Sequence, residues 1–138
     1  MKTTMFDQLC DESTLLQAWK TVKTKGSAGG VDGLSIEEMD KDIGTHIQTL
    51  QEELFSGTWK PQPYLRIQIP KKNSEYRKLG LLTIKDKIVQ QALKNLIEQR
   101  FENIFLPNSY AYRPEKGHTK AVKFTRSIFQ NKKYPYAL

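Results

Sequence analysis

The chain has 138 residues, with 22 Lys and Arg against 15 Asp and Glu, a formal net charge of +7, and 38% apolar and 27% charged residues. That length and balance fit one domain with its own hydrophobic core and exclude a disordered tail. No apolar run approaches a membrane span, no early apolar stretch precedes a cleavage site, and the single Cys10 excludes a disulfide framework, so the sequence points to a cytoplasmic protein with no membrane partner.

In chain order, the first predicted helix opens near Ser13, with Leu15, Leu16, Trp19 and Val22 on one stripe. It stops in Lys23-Thr24-Lys25-Gly26, a cationic last turn followed by glycine. Gly26 to Gly33 is a breaker-rich loop. Ser35 and Glu38 then form a capping-box pattern. Ile36, Met39, Ile43, Ile47, Leu50 and Leu54 recur at steps of three and four, which predicts one amphipathic helix to Ser56-Gly57 with Gly44 inside it.

The period then changes. Leu65, Ile67 and Ile69 alternate with Tyr64, Arg66 and Gln68, predicting a strand with one buried face. Lys71 to Glu75 reads as a polar loop and Tyr76 to Leu82 as the returning strand of a basic antiparallel β-hairpin. Thr83 to Asp86 is a second capping-box-like start. It opens a long central helix on Ile84, Ile88, Val89, Ala92, Leu93, Leu96, Ile97 and Phe101. An aromatic loop spans Pro107 to Pro114. A last helix runs from about Thr119 to Asn131 on Ala121, Val122, Phe124, Ile128 and Phe129, and Tyr134 to Leu138 reads as a strand beginning. The fold class is α+β, divided into a helical part over residues 1–57 and a hairpin-and-helix part over residues 58–138.

Charge follows the same division. Residues 1–57 hold 5 Lys and 10 acids, a balance of −5; residues 58–138 hold 17 Lys and Arg and 5 acids, a balance of +12. A segregated basic half points to a polyanion, nucleic acid before a membrane surface, with solubility alone as the plain alternative. Catalytic signals are lacking. No phosphate-binding loop or nucleophile elbow occurs, and Cys10 with His46 and His118 cannot fill a structural zinc site. Glu98 and Glu102 are an i,i+4 acid pair that reads first as a solvated helix face. Two constellations stand out: Lys71, Lys72 and Arg77 near the hairpin tip, suited to phosphate, and Tyr110-Ala111-Tyr112-Arg113, suited to stacking plus a phosphate contact or to packing as core.

At these residues a family resemblance emerges. Ile69-Pro70-Lys71-Lys72-Asn73-Ser74-Glu75-Tyr76-Arg77-Lys78-Leu79-Gly80, followed by Asp86-Lys87-Ile88-Val89-Gln90-Gln91-Ala92-Leu93, resembles the first fingers block of group II intron-type reverse transcriptases, an IPK, a Gly-containing turn, RPLGI and then DRxxQxAL. Ser109 to Pro114 with His118 resembles the next block, SYGFRPGRSxHxA. Gly30 to Ser35 resembles the leading GxDGxT element, and Gly57-Thr58-Trp59-Lys60-Pro61 the linker after it. There are three departures: Asn73-Ser74 stand where glycine is usual, Lys78 replaces proline and Ala111 replaces glycine.

The resemblance implies the fingers subdomain of a right-hand, RNA-directed DNA polymerase, with the palm missing. It implies that Lys71, Arg77 and Arg113 bind the incoming deoxynucleotide. It further implies that Gly30, Asp32, Gly33, Arg66, Lys72, Lys78, Tyr110 and Tyr112 bind nucleic acid. The implied partners are template RNA, an RNA/DNA duplex, a dNTP and the parent chain's palm, with self-association through orphaned apolar surface. The carboxylates holding two Mg²⁺ ions about 4 Å apart would lie in that palm. No catalytic or metal residue is therefore named, the chain alone is expected to be inactive, and it binds no cofactor of its own. The alternative is a stand-alone, non-catalytic nucleic-acid-binding module derived from such an enzyme; an unrelated basic interaction protein is a third.

Overall fold

The computed structural model describes residues 3–72 and 75–130, so the strand expected from Tyr134 to Leu138 lies outside the described residues. The described residues form six helices and a two-stranded sheet, an α+β chain. They divide into two compact units, Met1–Ile97 and Glu98–Leu138.

In the first unit, α1 (Met5–Leu9) is a short helix that apolar periodicity does not reveal. Its start is legible as Thr-x-x-Asp: the Asp7 carboxylate accepts from the Thr4 backbone N–H at 2.7 Å, and Thr4 Oγ1 accepts from the Asp7 N–H at 3.1 Å. α2 (Glu12–Lys25) is capped by Asp11 and ends at Gly26 with φ +60°. It buries Leu15, Ala18, Trp19 and Val22, residues three and four apart on one face.

The single helix expected from Ser35 to Ser56 is two. α3 (Ile36–Lys41) starts on the Ser35/Glu38 capping box, and those hydrogen bonds hold the Glu38 carboxyl below its ordinary value. The helix breaks at Asp42 (φ −139°, ψ 42°), and α4 (Ile43–Phe55) begins at once. Asp42 Oδ1 accepts from Thr45 Oγ1 at 2.8 Å, a contact between side chains, and Gly44 follows two residues on. The apolar stripe survives the break, because Met39, Ile47, Leu50 and Leu54 are all buried in one core with α2.

β1 (Leu65–Pro70) and β2 (Tyr76–Leu81) pair antiparallel, with Leu65 opposite Leu81 and Pro70 opposite Tyr76. The expected buried face needs correction. Ile67, Leu79 and Leu81 are half-buried, while Leu65 and Ile69 each remain 41% exposed. The hairpin is fixed at its base and stands out from the core.

α5 (Ile84–Glu102) supplies Ile84, Ile88, Val89 and Ala92 to the core. Its second half does not continue the burial, since Leu93 and Phe101 are exposed. The core therefore draws on residues both before and after Gly57. The compact units divide within α5, whereas the division at residue 57 follows charge.

Three segments meet at the α5 start. Thr83 and Asp86 are buried; Thr83 Oγ1 donates to Asp86 Oδ2 at 2.7 Å and accepts from the Asp86 N–H at 3.2 Å. The Gln62 N–H donates to the same Oδ2 at 3.1 Å. Gly30 packs on this turn so closely that a Cβ would sit 2.5 Å from the Thr83 nitrogen.

The second unit is the end of α5, a loop and α6 (His118–Gln130). α6 is amphipathic, yet none of its residues is buried, and Val122, Phe124 and Phe129 are exposed.

Gly30→Ala should lose about 1–3 kcal/mol in urea unfolding, because its neighbours are backbone and cannot yield. Gly44→Ala, where a Cβ meets nothing within 4 Å, should gain about 0.5 kcal/mol.

Candidate nucleic-acid interface

The hairpin register sorts its side chains. Strand residues alternate between faces, so Ile67, Ile69, Arg77 and Leu79 share one face, and Arg66, Gln68, Tyr76, Lys78 and Gly80 the other. The cations that sequence groups together thus divide, with Arg77 on one side and Arg66 and Lys78 on the other.

The tip is closed by the Lys71 N–H donating to the Glu75 carbonyl at 2.7 Å. Lys71 Nζ also meets Glu75 Oε2 at 3.0 Å, but both side chains are more than half exposed, so a phosphate can displace this contact at little cost. Arg77 pairs with Ile69 in the register, and Lys71 follows the end of β1 at Pro70. Lys72 and Arg77 are exposed.

On the other face the Tyr64 ring covers Gly80; a Cβ there would lie 2.8 Å from Tyr64 Cδ2. The Arg66 guanidinium sits 5.9 Å from the Tyr64 ring centroid and donates to the Tyr64 hydroxyl at 3.3 Å. Tyr64, Arg66, Lys78, Leu79 and Gly80 line a shallow groove. Sequence analysis does not single out Tyr64; its i,i+2 relation to Arg66 was the available signal.

The loop holding Gly30, Asp32 and Gly33 is built into the fold. Gly30 is buried, Gly33 has φ +68°, and the exposed Asp32 accepts from the Leu34 N–H at 3.3 Å, an Asx turn. Lys87 crosses to this loop, donating to the Ala28 carbonyl at 2.6 Å, and its burial pushes the ammonium below its ordinary pKa of 10.5.

In the second unit Arg113 is turned inward. Its guanidinium meets Glu102 Oε2 at 3.0 Å and Oε1 at 3.2 Å, and donates to the Leu106 and Ser109 carbonyls at 2.8 and 2.9 Å. It also lies 5.1 Å from the Phe105 ring centroid, with a side chain only 7% exposed. The planar fork is fully engaged in folding the loop over residues 103–113. Glu102, which reads from sequence as a solvated acid, is its partner; only tertiary structure reveals this pairing across eleven positions.

Tyr110 and Tyr112 separate. Tyr110 is half-buried against Phe124, with Lys116 Nζ 5.5 Å from its ring centroid. Tyr112 is fully exposed at φ +55°, a left-handed conformation that its neighbour Ala111 does not share. Among the described residues, no three His, Cys, Asp or Glu side chains gather as a metal site would require, and no helix is long and apolar enough to cross a membrane.

No protein-family model matches the chain. It is 36% identical over 104 residues to protein YkfC of Escherichia coli (strain K12), an alignment covering 75% of this chain and 27% of that protein. It is 35% identical over 112 residues to the group II intron-encoded protein LtrA of Lactococcus lactis subsp. cremoris, covering 80% of this chain and 17% of that protein. A 91 kDa protein in the cob intron of Schizosaccharomyces pombe is 36% identical over 101 residues, 73% of this chain and 11% of that protein. The chain thus spans about a quarter or less of the length of these relatives.

Arg113→Ala should release the loop over residues 103–113. Leaving Glu102 without its partner costs about 1–3 kcal/mol locally. Loop amides should exchange faster with solvent, and Arg113→Lys should restore only part of the protection because it cannot form the two-pronged contact.

Proposed function

We propose, from the premise that the chain belongs to the group II intron-encoded proteins, that it is the template- and nucleotide-binding fingers part of an RNA-directed DNA polymerase. The observation that carries this reading is the hairpin register. It pairs Arg77 of β2 with Ile69, with Lys71 just past the end of β1 and both side chains exposed, and this supports reading the two as sides of a clamp on a triphosphate. Arg77 offers a planar fork to phosphate oxygens and Lys71 a mobile point charge. Lys72, Arg66 and Lys78 supply further cations for template RNA. The basic balance of residues 58–138 favours the same polyanionic partners.

The role of the chain in this reading is binding and orientation. Transfer of the nucleotidyl group would require the metal-holding carboxylates of a palm, and Mg²⁺ would be their cofactor. The chain alone would bind without polymerising. Arg113 enters only as the anchor of its loop. Gly30, Asp32 and Gly33 enter through the shape of a loop seated on the α5 start, with Asp32 and Gly33 at its exposed side.

The test is equilibrium binding of a fluorescent deoxynucleoside triphosphate. Lys71→Ala and Arg77→Ala should each weaken binding about tenfold, the scale of one lost charge-assisted hydrogen bond. Lys41→Ala, at the end of α3, should leave it unchanged. Equal affinity in all three variants would refute the clamp.

A further inference from the structure

We propose that the cleft between the end of α2 and residues 87–97 of α5 binds a small amphipathic anion, a carboxylate or phosphate carried on an aliphatic body. Lys25 and Lys87 would hold the head, and Val22, Leu93 and Ile97 would cover the body. The cleft lies wholly within the first unit and shares no residue with the triphosphate clamp.

Helical spacing builds the cleft. Val22 and Lys25 are one turn apart on α2, and Gln90, Leu93 and Ile97 recur at steps of three and four on α5. Its volume is about 450 Å³, the scale of a small-molecule site. Val22 is buried, Ile97 half-buried and Leu93 38% exposed, so the aliphatic lining runs from the core out to solvent.

The two cations are oriented by neutral groups. Lys25 Nζ donates to Gln91 Oε1 at 2.9 Å, and Gln91 Nε2 donates in turn to Asn95 Oδ1 at 2.7 Å, which fixes the direction of the Gln91 amide. Lys87 Nζ donates to the Ala28 carbonyl at 2.6 Å. Such oxygens aim an ammonium without neutralising it, and each ammonium keeps further protons to donate. Asp32 favours the charge on Lys87, but burial outweighs it, and an anion in the cleft would offset that burial. The lining also selects the ligand. An aliphatic wall rewards a hydrocarbon body by the area it covers. No aromatic side chain lines the cleft, so it offers unpaired bases no stacking surface.

The experiment titrates the whole chain with decanoate and follows backbone amide chemical shifts. Decanoate should move the amides of Ser27, Gln91 and Leu93. Decan-1-ol has the body without the charge and acetate the charge without the body, so each should bind about tenfold more weakly or worse. Lys25→Gln and Lys87→Gln should each weaken decanoate about tenfold, the scale of one lost charge-assisted hydrogen bond. Lys25 is exposed, so its variant tests the head without disturbing the core. Lys87→Arg, which keeps the charge, should stay within about threefold of the parent. Lys123→Gln, on the amphipathic α6, should change nothing and controls for adhesion to apolar surface elsewhere. Equal affinity for decanoate and decan-1-ol, or undiminished binding in both lysine-to-glutamine variants, would overturn the proposal. If the chain sediments with vesicles of phosphatidylcholine and phosphatidylglycerol while free decanoate leaves these amides unmoved, the head belongs to a bilayer and the small-molecule site is refuted.

Discussion

The Asp86 carboxylate, 3% exposed at the first turn of α5, is the point on which the rest of the first unit depends. It accepts from the Thr83 hydroxyl and from the Gln62 backbone N–H, so one side chain joins Thr83, which caps the central helix, to the segment that leads into the hairpin. Gly30 rests on the same turn and leaves no room for a side chain. The core helices beneath it hold Ile84 and Ile88. A buried carboxylate without such partners would be strongly unfavourable. Its hydrogen bonds tie the hairpin base to α5, and Gly30 packs the glycine-rich loop on the same turn, so that the three segments share a single joint.

That joint explains how so exposed a hairpin can be maintained. A two-stranded sheet is marginal by itself, and this one buries little of its apolar face. Its strands are held mainly where they enter and leave the core. Five cations, Arg66, Lys71, Lys72, Arg77 and Lys78, stand in solvent with Glu75 as the only acid in the hairpin sequence. Arg113 shows the opposite use of the same residue type. Its guanidinium is consumed within the fold by Glu102 and two carbonyls, and stabilises a loop whose Tyr112 and Glu115 both have positive φ.

Local signals in the sequence were legible where one turn decides the structure. The Ser35/Glu38 and Thr83/Asp86 starts, the Gly26 stop and the hairpin between Leu65 and Leu81 follow from adjacent residues. The break at Asp42 was not, because the apolar period runs through it unaltered. Burial was legible for α2 and the first half of α5, and not for the hairpin, the end of α5 or α6. Periodicity marks the face a segment can bury without saying what covers it. The candidate site shows the same limit. Cation identity was readable, but the separation of Arg77 from Arg66 and Lys78 required the register, and the engagement of Arg113 required its partner eleven positions earlier.

The central claim, that the Asp86 joint mounts the hairpin, is tested most directly by amide hydrogen exchange on the whole chain and its Asp86→Asn variant. In the variant the paired amides between Leu65–Pro70 and Tyr76–Leu81 should lose protection together with the first turn of α5, while Leu15 and Leu50 stay protected in the core. Hairpin protection equal to that of the unaltered chain, with only the α5 turn frayed, would contradict it.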